Sequence, residues 1–151
     1  MDRAELLARL DKAWAAFTAS YEDLSEADLL EPGVTGAWSV RDIIAHVTWW
    51  EEEALQHLPH ILRGETPPRY SVTYGGIDAF NALMTERKRQ LSLADVLREQ
   101  EQTHRRLLAL IERAPADQIA TDTRWRHRLR LDTYGHYPKH AAAIRKWRDA
   151  R

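Results

Sequence analysis

The sequence predicts an all-α protein, an up-and-down bundle of four main helices with an additional short helical segment. Two observations predict it. Apolar residues recur at three- and four-residue steps through most of the 151 residues, the period of a helix with one buried face. Helix-opening polar residues and Pro or Gly stops separate these stretches. No internal repeat or second domain shows, so residues 1–151 read as one bundle domain.

Asp2, with Glu5 three residues on, is a capping-box pattern. Behind it Leu6, Leu7, Leu10, Trp14, Phe17 and Tyr21 form one stripe of a first helix. Ser25 to Leu30 adds a helical turn, and Pro32, Gly33 and Gly36 punctuate a loop. Ser39 and Asp42 open the second helix. Its stripe runs through Val40, Ile43, Ile44, Val47, Ala54, Leu58 and Ile61, with Pro59 expected to kink or interrupt the last turns before Gly64. Residues 64–76 hold two prolines, three glycines and two tyrosines, the composition of a lid beside a pocket. A third helix then turns Ile77, Phe80, Met84 and Leu91 inward. Ser92 and Asp95 open a fourth, carrying Val96, Leu97, Leu107, Leu108 and Ile111, and Pro115 stops it. From Arg124 to Leu131 the period changes. Trp125, His127, Leu129 and Leu131 alternate with four arginines, as in an extended strap with one buried face. A last helix runs from about Thr133 to Trp147, with Tyr134, Tyr137, Ala141 and Ile144 coreward.

Composition narrows the function classes. Lysine and arginine number 22 against 23 acidic residues, a net charge of -1. A protein whose main partner is nucleic acid usually shows a basic excess, so nucleic acid is not the expected partner. There is no cysteine, which excludes disulfides, thiolate metal ligands and a cysteine nucleophile. The opening MDRAELLARLDKAW mixes charge with leucine and lacks the apolar core of a signal peptide. No stretch approaches the roughly 20 apolar residues of a membrane span. The expectation is a soluble cytoplasmic protein with no membrane partner.

Of the seven histidines, His136 and His140 stand four apart in the last helix, so both imidazoles can project from one face. That spacing is a common half-site for zinc, nickel or iron. His46 lies on the stripe adjoining the core face of the second helix, with Trp50, Glu53 and His57. Flanking faces of two neighbouring helices can meet around one ion. Three neutral imidazoles leave coordination positions for water or substrate, which suits a reactive site. Taken singly, each histidine is better read as a polar residue at a helix edge.

A family resemblance favours the trio. The run GAWSVRDIIAHVTWWE, residues 36–51, closely resembles the second-helix signature of DinB-like proteins. The run DTYGHYPKHAAAIRKW, residues 132–147, resembles the closing His-x-x-x-His helix of that superfamily, and looks most like its ClbS/DfsB-like branch. Asp78 to Asn81 also fits the pattern. The resemblance implies a bundle of DinB type with a divalent metal, zinc or nickel and less commonly iron, on His46, His136 and His140. It further implies a homodimer, and relatives that include thiol-dependent S-transferases, an isomerase and a hydrolase of a cyclopropane-bearing toxin. Pro138 departs from easy helical spacing. If the helix begins at Thr133, Pro138 disrupts its second turn; if it begins nearer Gly135, Pro138 falls in the first turn, where it is tolerated.

Other residues carry weaker signals. Glu53 is the candidate base or orienting carboxylate beside His46, whereas Asp42 reads as a solvated helix carboxylate. Tyr70 and Tyr74 are candidate proton donors from the loop, with ring packing the plainer reading. Trp49 and Trp50 are candidates to line an apolar substrate pocket or a dimer face, with at least one of them read as plain core. His127 is the first substitute ligand, and His104 reads as a hydrogen-bonded core histidine. The arginines of residues 124–131 invite a nucleic-acid or anionic-substrate reading, but a solvated face is the plainer one, with an anionic thiol cofactor bound there as the alternative. The expected function is a metal-dependent enzyme acting on a small molecule, by hydrolysis or by transfer of an external low-molecular-weight thiol. The alternative is a non-catalytic, sequestering self-resistance protein.

Overall fold

The computed structural model describes residues 1–151. The helices, in chain order, are α1 (Arg3–Ala19), α2 (Glu26–Leu30), α3 (Val40–Leu62), α4 (Tyr70–Thr73), α5 (Ile77–Lys88), α6 (Leu93–Arg113), α7 (Ala116–Ala120), α8 (Arg124–Asp132) and α9 (Tyr137–Asp149). The long helices α1, α3, α6 and α9 make the up-and-down bundle. α3 is central, packing against α6, α8 and α5, while α1 packs against α9 and α6.

Local chemistry sets these boundaries. The Asp2 side chain accepts from the Glu5 backbone N–H at 2.8 Å and caps α1. At α3 the capping box is complete: Asp42 N–H donates to Ser39 Oγ, and Ser39 N–H donates to Asp42 Oδ2. Asp42 is therefore a cap, not a solvated carboxylate. Pro59 neither ends nor interrupts α3, which continues to Leu62. Ser92 caps α6 through Asp95 N–H. One cluster of buried apolar side chains fills the centre, with Phe17, Trp49, Leu58, Leu107, Trp125 and Tyr137 among its largest members. Arg41, buried on α3, donates to the carbonyls of Lys88 and Leu91 and so ties down the turn between α5 and α6.

Two expectations are corrected. The alternating run Arg124–Leu131 is helix α8, not an extended strap, and Thr123 caps it by accepting from Arg126 N–H at 3.1 Å. Only Trp125 and Leu129 of the alternating set are buried, and that four-residue step fits a helix as well as a strand does. The last helix begins at Tyr137, not Thr133. Its first turn contains Pro138, where no intrahelical N–H bond is lost.

Candidate metal centre

α3 and the start of α9 together bring the three predicted imidazoles to one point. His46 lies in the second turn of α3, His136 is the N-cap of α9, and His140 follows in its first turns. All three are buried. The Nε2 atoms of His46 and His136 are 3.1 Å apart, and those of His136 and His140 are 2.9 Å apart. One ligand atom from each lies within 4.8 Å of the others. Zinc–nitrogen bonds at tetrahedral angles place such nitrogens about 3.3 Å apart, so the trio has the spacing of a ligand set.

The electrostatics agree. Burial pushes His46 down to about 2, helped by the charges His136 and His140 would carry. Burial likewise lowers His136 to about 3 and His140 to about 4, with Lys139 adding to both shifts. Each ring is thus held neutral, with a nitrogen lone pair free to bind a cation. His46 Nδ1 and His136 Nδ1 have no hydrogen-bond partner. Packing holds the rings instead: Trp38 lies 4.7 Å from the His46 ring centroid, and Trp49 meets it edge-on at 4.9 Å.

The trio lines a cavity of about 630 Å³. Trp38, Trp50, Tyr70, Ile77, Leu131 and Ala143 form its apolar walls, and Thr35, Asn81, Arg128, Asp132 and Lys139 its polar ones. Ile77 was expected in the core; it stands more than half exposed at the mouth because α5 presents that edge to the cavity. Trp49 and Trp50 both donate their indole N–H to Asn81 Oδ1, at 3.2 and 3.0 Å. That double acceptance fixes the amide orientation of Asn81.

Glu53 does not line the cavity. Its Oε1 accepts from Tyr70 O–H at 2.9 Å and lies 3.5 Å from His57 Nε2. Of the two tyrosines in residues 64–76, Tyr70 lines the cavity, whereas Tyr74 stacks outside it at 6.0 Å from Tyr70. A polar chain continues from Tyr70: Arg128 donates to its oxygen at 2.7 Å and, through Nε, to Asp132 Oδ2 at 2.7 Å. His127 is exposed on α8 and paired with Arg130, away from the trio. His104 is a core histidine stacked on Trp14 at 3.7 Å and donating to Glu51 at 2.7 Å. The arginine face is not idle: Arg124, Arg126 and Arg128 each bind carbonyl or side-chain oxygens of this chain.

Sequence reasoning missed Asp132 and Asn81. Asp132 precedes His136 by the same four residues that separate His136 from His140, but the break between α8 and α9 hides that relation. Asn81 carries no local signal beyond its place in the Asp78–Asn81 run.

The model of the DinB superfamily matches residues 3–145. The chain belongs to the DinB superfamily. No curated protein sequence matches it significantly. Among solved structures it is similar to the colibactin self-resistance protein ClbS, solved in complex with a dsDNA: 18% identity, TM-score 0.82, covering 99% of this chain and 97% of that one. An uncharacterised Escherichia coli UTI89 protein gives 17% identity and TM-score 0.80 over 99% and 94% of the two chains. DfsB, described as a sibling lethal factor precursor, gives 16% identity and TM-score 0.81 over 99% and 96%. The ClbS complex overturns the expectation that nucleic acid is no partner. A net charge of -1 averages over the whole surface, whereas a duplex meets one face, so balance does not exclude it. No helix is long and apolar enough to cross a membrane.

Proposed function

We propose that this DinB-superfamily protein is a metal-dependent enzyme that acts on a small molecule, by hydrolysis or by transfer of an external low-molecular-weight thiol. The observation that carries the reading is the convergence of three buried, neutral imidazoles on one wall of a 630 Å³ cavity. His46, His136 and His140 would hold a divalent ion such as zinc or nickel, which would supply Lewis-acid activation of water or a thiol. The chain's own residues do the rest. Trp38, Trp50 and Tyr70 provide apolar walls that hold a substrate and displace water, and the Tyr70–Arg128 bond keeps the lid segment against the site. The chain has no cysteine, so a thiol reactant comes from outside.

Metal analysis of protein purified without a histidine tag tests this directly. One equivalent of zinc, nickel or iron is expected, and His46→Ala should lose it while keeping its helical circular dichroism. A protein that takes up none of these metals defeats the reading. The aromatic walls also suit a protein that sequesters its ligand, and mass spectrometry separates the two by whether product forms. The dsDNA in the ClbS structure adds duplex DNA as a partner to assay, with binding that weakens steeply as salt rises.

A further inference from the structure

The cavity holds one carboxyl group, and the metal reading leaves it without a task. Asp132, the last residue of α8, is 4% exposed and lines the cavity. Its Oδ2 accepts from Arg128 Nε at 2.7 Å. Its Oδ1 has no hydrogen-bond partner, yet it is not among the polar atoms sealed inside the protein, so it opens on the cavity. A carboxylate oxygen that faces the cavity with no donor from the protein is free to accept a hydrogen bond from a ligand.

We propose that Asp132 is the acceptor that recognises the substrate of this site, and that the substrate is a neutral, planar, largely apolar molecule with an N–H or O–H donor beside its reacting centre. This inference rests on the metal-enzyme reading. Three features select that chemistry. The walls are aromatic on Trp38, Trp50 and Tyr70, which favours a flat body. Arg128 already neutralises Asp132, and Lys139 stands at the mouth, so a cationic amine gains little and a neutral donor suffices. Arg128 is itself held by Tyr70, which keeps Oδ2 occupied and leaves Oδ1 as the oxygen presented to the ligand. Glu53, the carboxylate singled out by sequence, is bonded to Tyr70 and has no such opening.

The test compares two probes on the zinc-loaded full chain at pH 7.5 by isothermal calorimetry. Benzohydroxamic acid carries the N–H; its N-methyl derivative keeps the metal-binding oxygens and lacks it. Wild type should bind the N–H probe about tenfold or more tightly than the N-methyl probe, the worth of a hydrogen bond to a charged acceptor. In Asp132→Asn, Arg128 keeps the amide oxygen and turns the NH2 toward the cavity, replacing acceptor by donor. That variant should lose the preference while binding zinc normally. Persistence of the preference in the variant overturns the proposal, as does binding of neither probe to wild type. If the variant does not fold, the bound wild-type complex decides: a downfield-shifted probe N–H resonance supports the acceptor role, and an unshifted one overturns it. Binding of both probes that is indifferent to zinc removal defeats the metal reading instead, and leaves the comparison at Asp132 intact.

Discussion

Glu51 places a carboxyl group at the centre of the bundle with no solvent exposure. Its Oε2 accepts from Tyr137 O–H at 2.5 Å and from His104 Nδ1 at 2.7 Å, so one oxygen joins α3 to α9 and α6. Glu51→Ala strands both donors in the core and should lower unfolding free energy by about 2–4 kcal/mol in chemical denaturation. A change within 0.5 kcal/mol, roughly the size of an ordinary surface substitution, would remove Glu51 from the stability argument. Asp132 sets a pH dependence. Burial raises its carboxyl to about 6, against the opposing pull of Arg128. A raised carboxyl pKa means the folded protein retains a proton that the unfolded chain releases. Its contribution is therefore complete below the unfolded value of about 3.8 and is lost as pH rises through about 6. The stability difference between wild type and Asp132→Asn should thus shift against wild type by roughly 2–3 kcal/mol between pH 4 and 7. Groups distant from Asp132 cancel in that difference, while Glu53 and His57, whose charges act on it, add smaller terms. A flat difference would mean that Asp132 titrates normally. The three histidines were readable from spacing and resemblance; the burial of Glu51 and Asp132 was not, because solvated carboxylates on helices look the same in sequence.

At the level of elements, the joint between α8 and α9 determines where His136 points. Gly135 N–H donates to the Arg130 carbonyl at 2.8 Å, and His136 N–H donates to the Thr133 carbonyl at 2.7 Å. A Cβ on Gly135 would sit 2.7 Å from the Arg130 carbonyl oxygen, backbone that cannot swing aside. Gly135→Ala should therefore shift the entry to α9 and weaken zinc binding about tenfold, with helical content retained, as read by competition with a chromophoric chelator. Unchanged affinity would show that the joint has slack. The sequence pattern misassigned this same region. Alternation of Trp125, His127, Leu129 and Leu131 has a strand's period, but the joint needs only Trp125 and Leu129 buried, and a helix supplies that. Pro138 was legible as a constraint and marks the first turn of α9.

Across the whole molecule, the bundle and the candidate ion are linked by mass action. α3 and α9 carry the three histidines, so a bound metal ties together helices that must separate when the chain unfolds. Free zinc at about a hundred times its Kd should add about 2.7 kcal/mol of stability. For a chain of this size that raises Tm by several degrees, at about 2–4 °C per kcal/mol, in differential scanning calorimetry. His46→Ala should show no shift, and a shift that survives in that variant would move the metal elsewhere. The sequence by itself determined the helical class, the caps at Asp2, Ser39 and Ser92, the first-turn constraint at Pro138 and the candidate trio. These rest on interactions within one or two turns or on contiguous motifs. Only the tertiary structure decided the cavity, the place of Asp132 in its wall, the Asn81 clamp on two tryptophans, and the core position of Glu51. Those side chains come from segments tens of residues apart, and no local period records which polar groups meet when α3, α5, α8 and α9 close around one space.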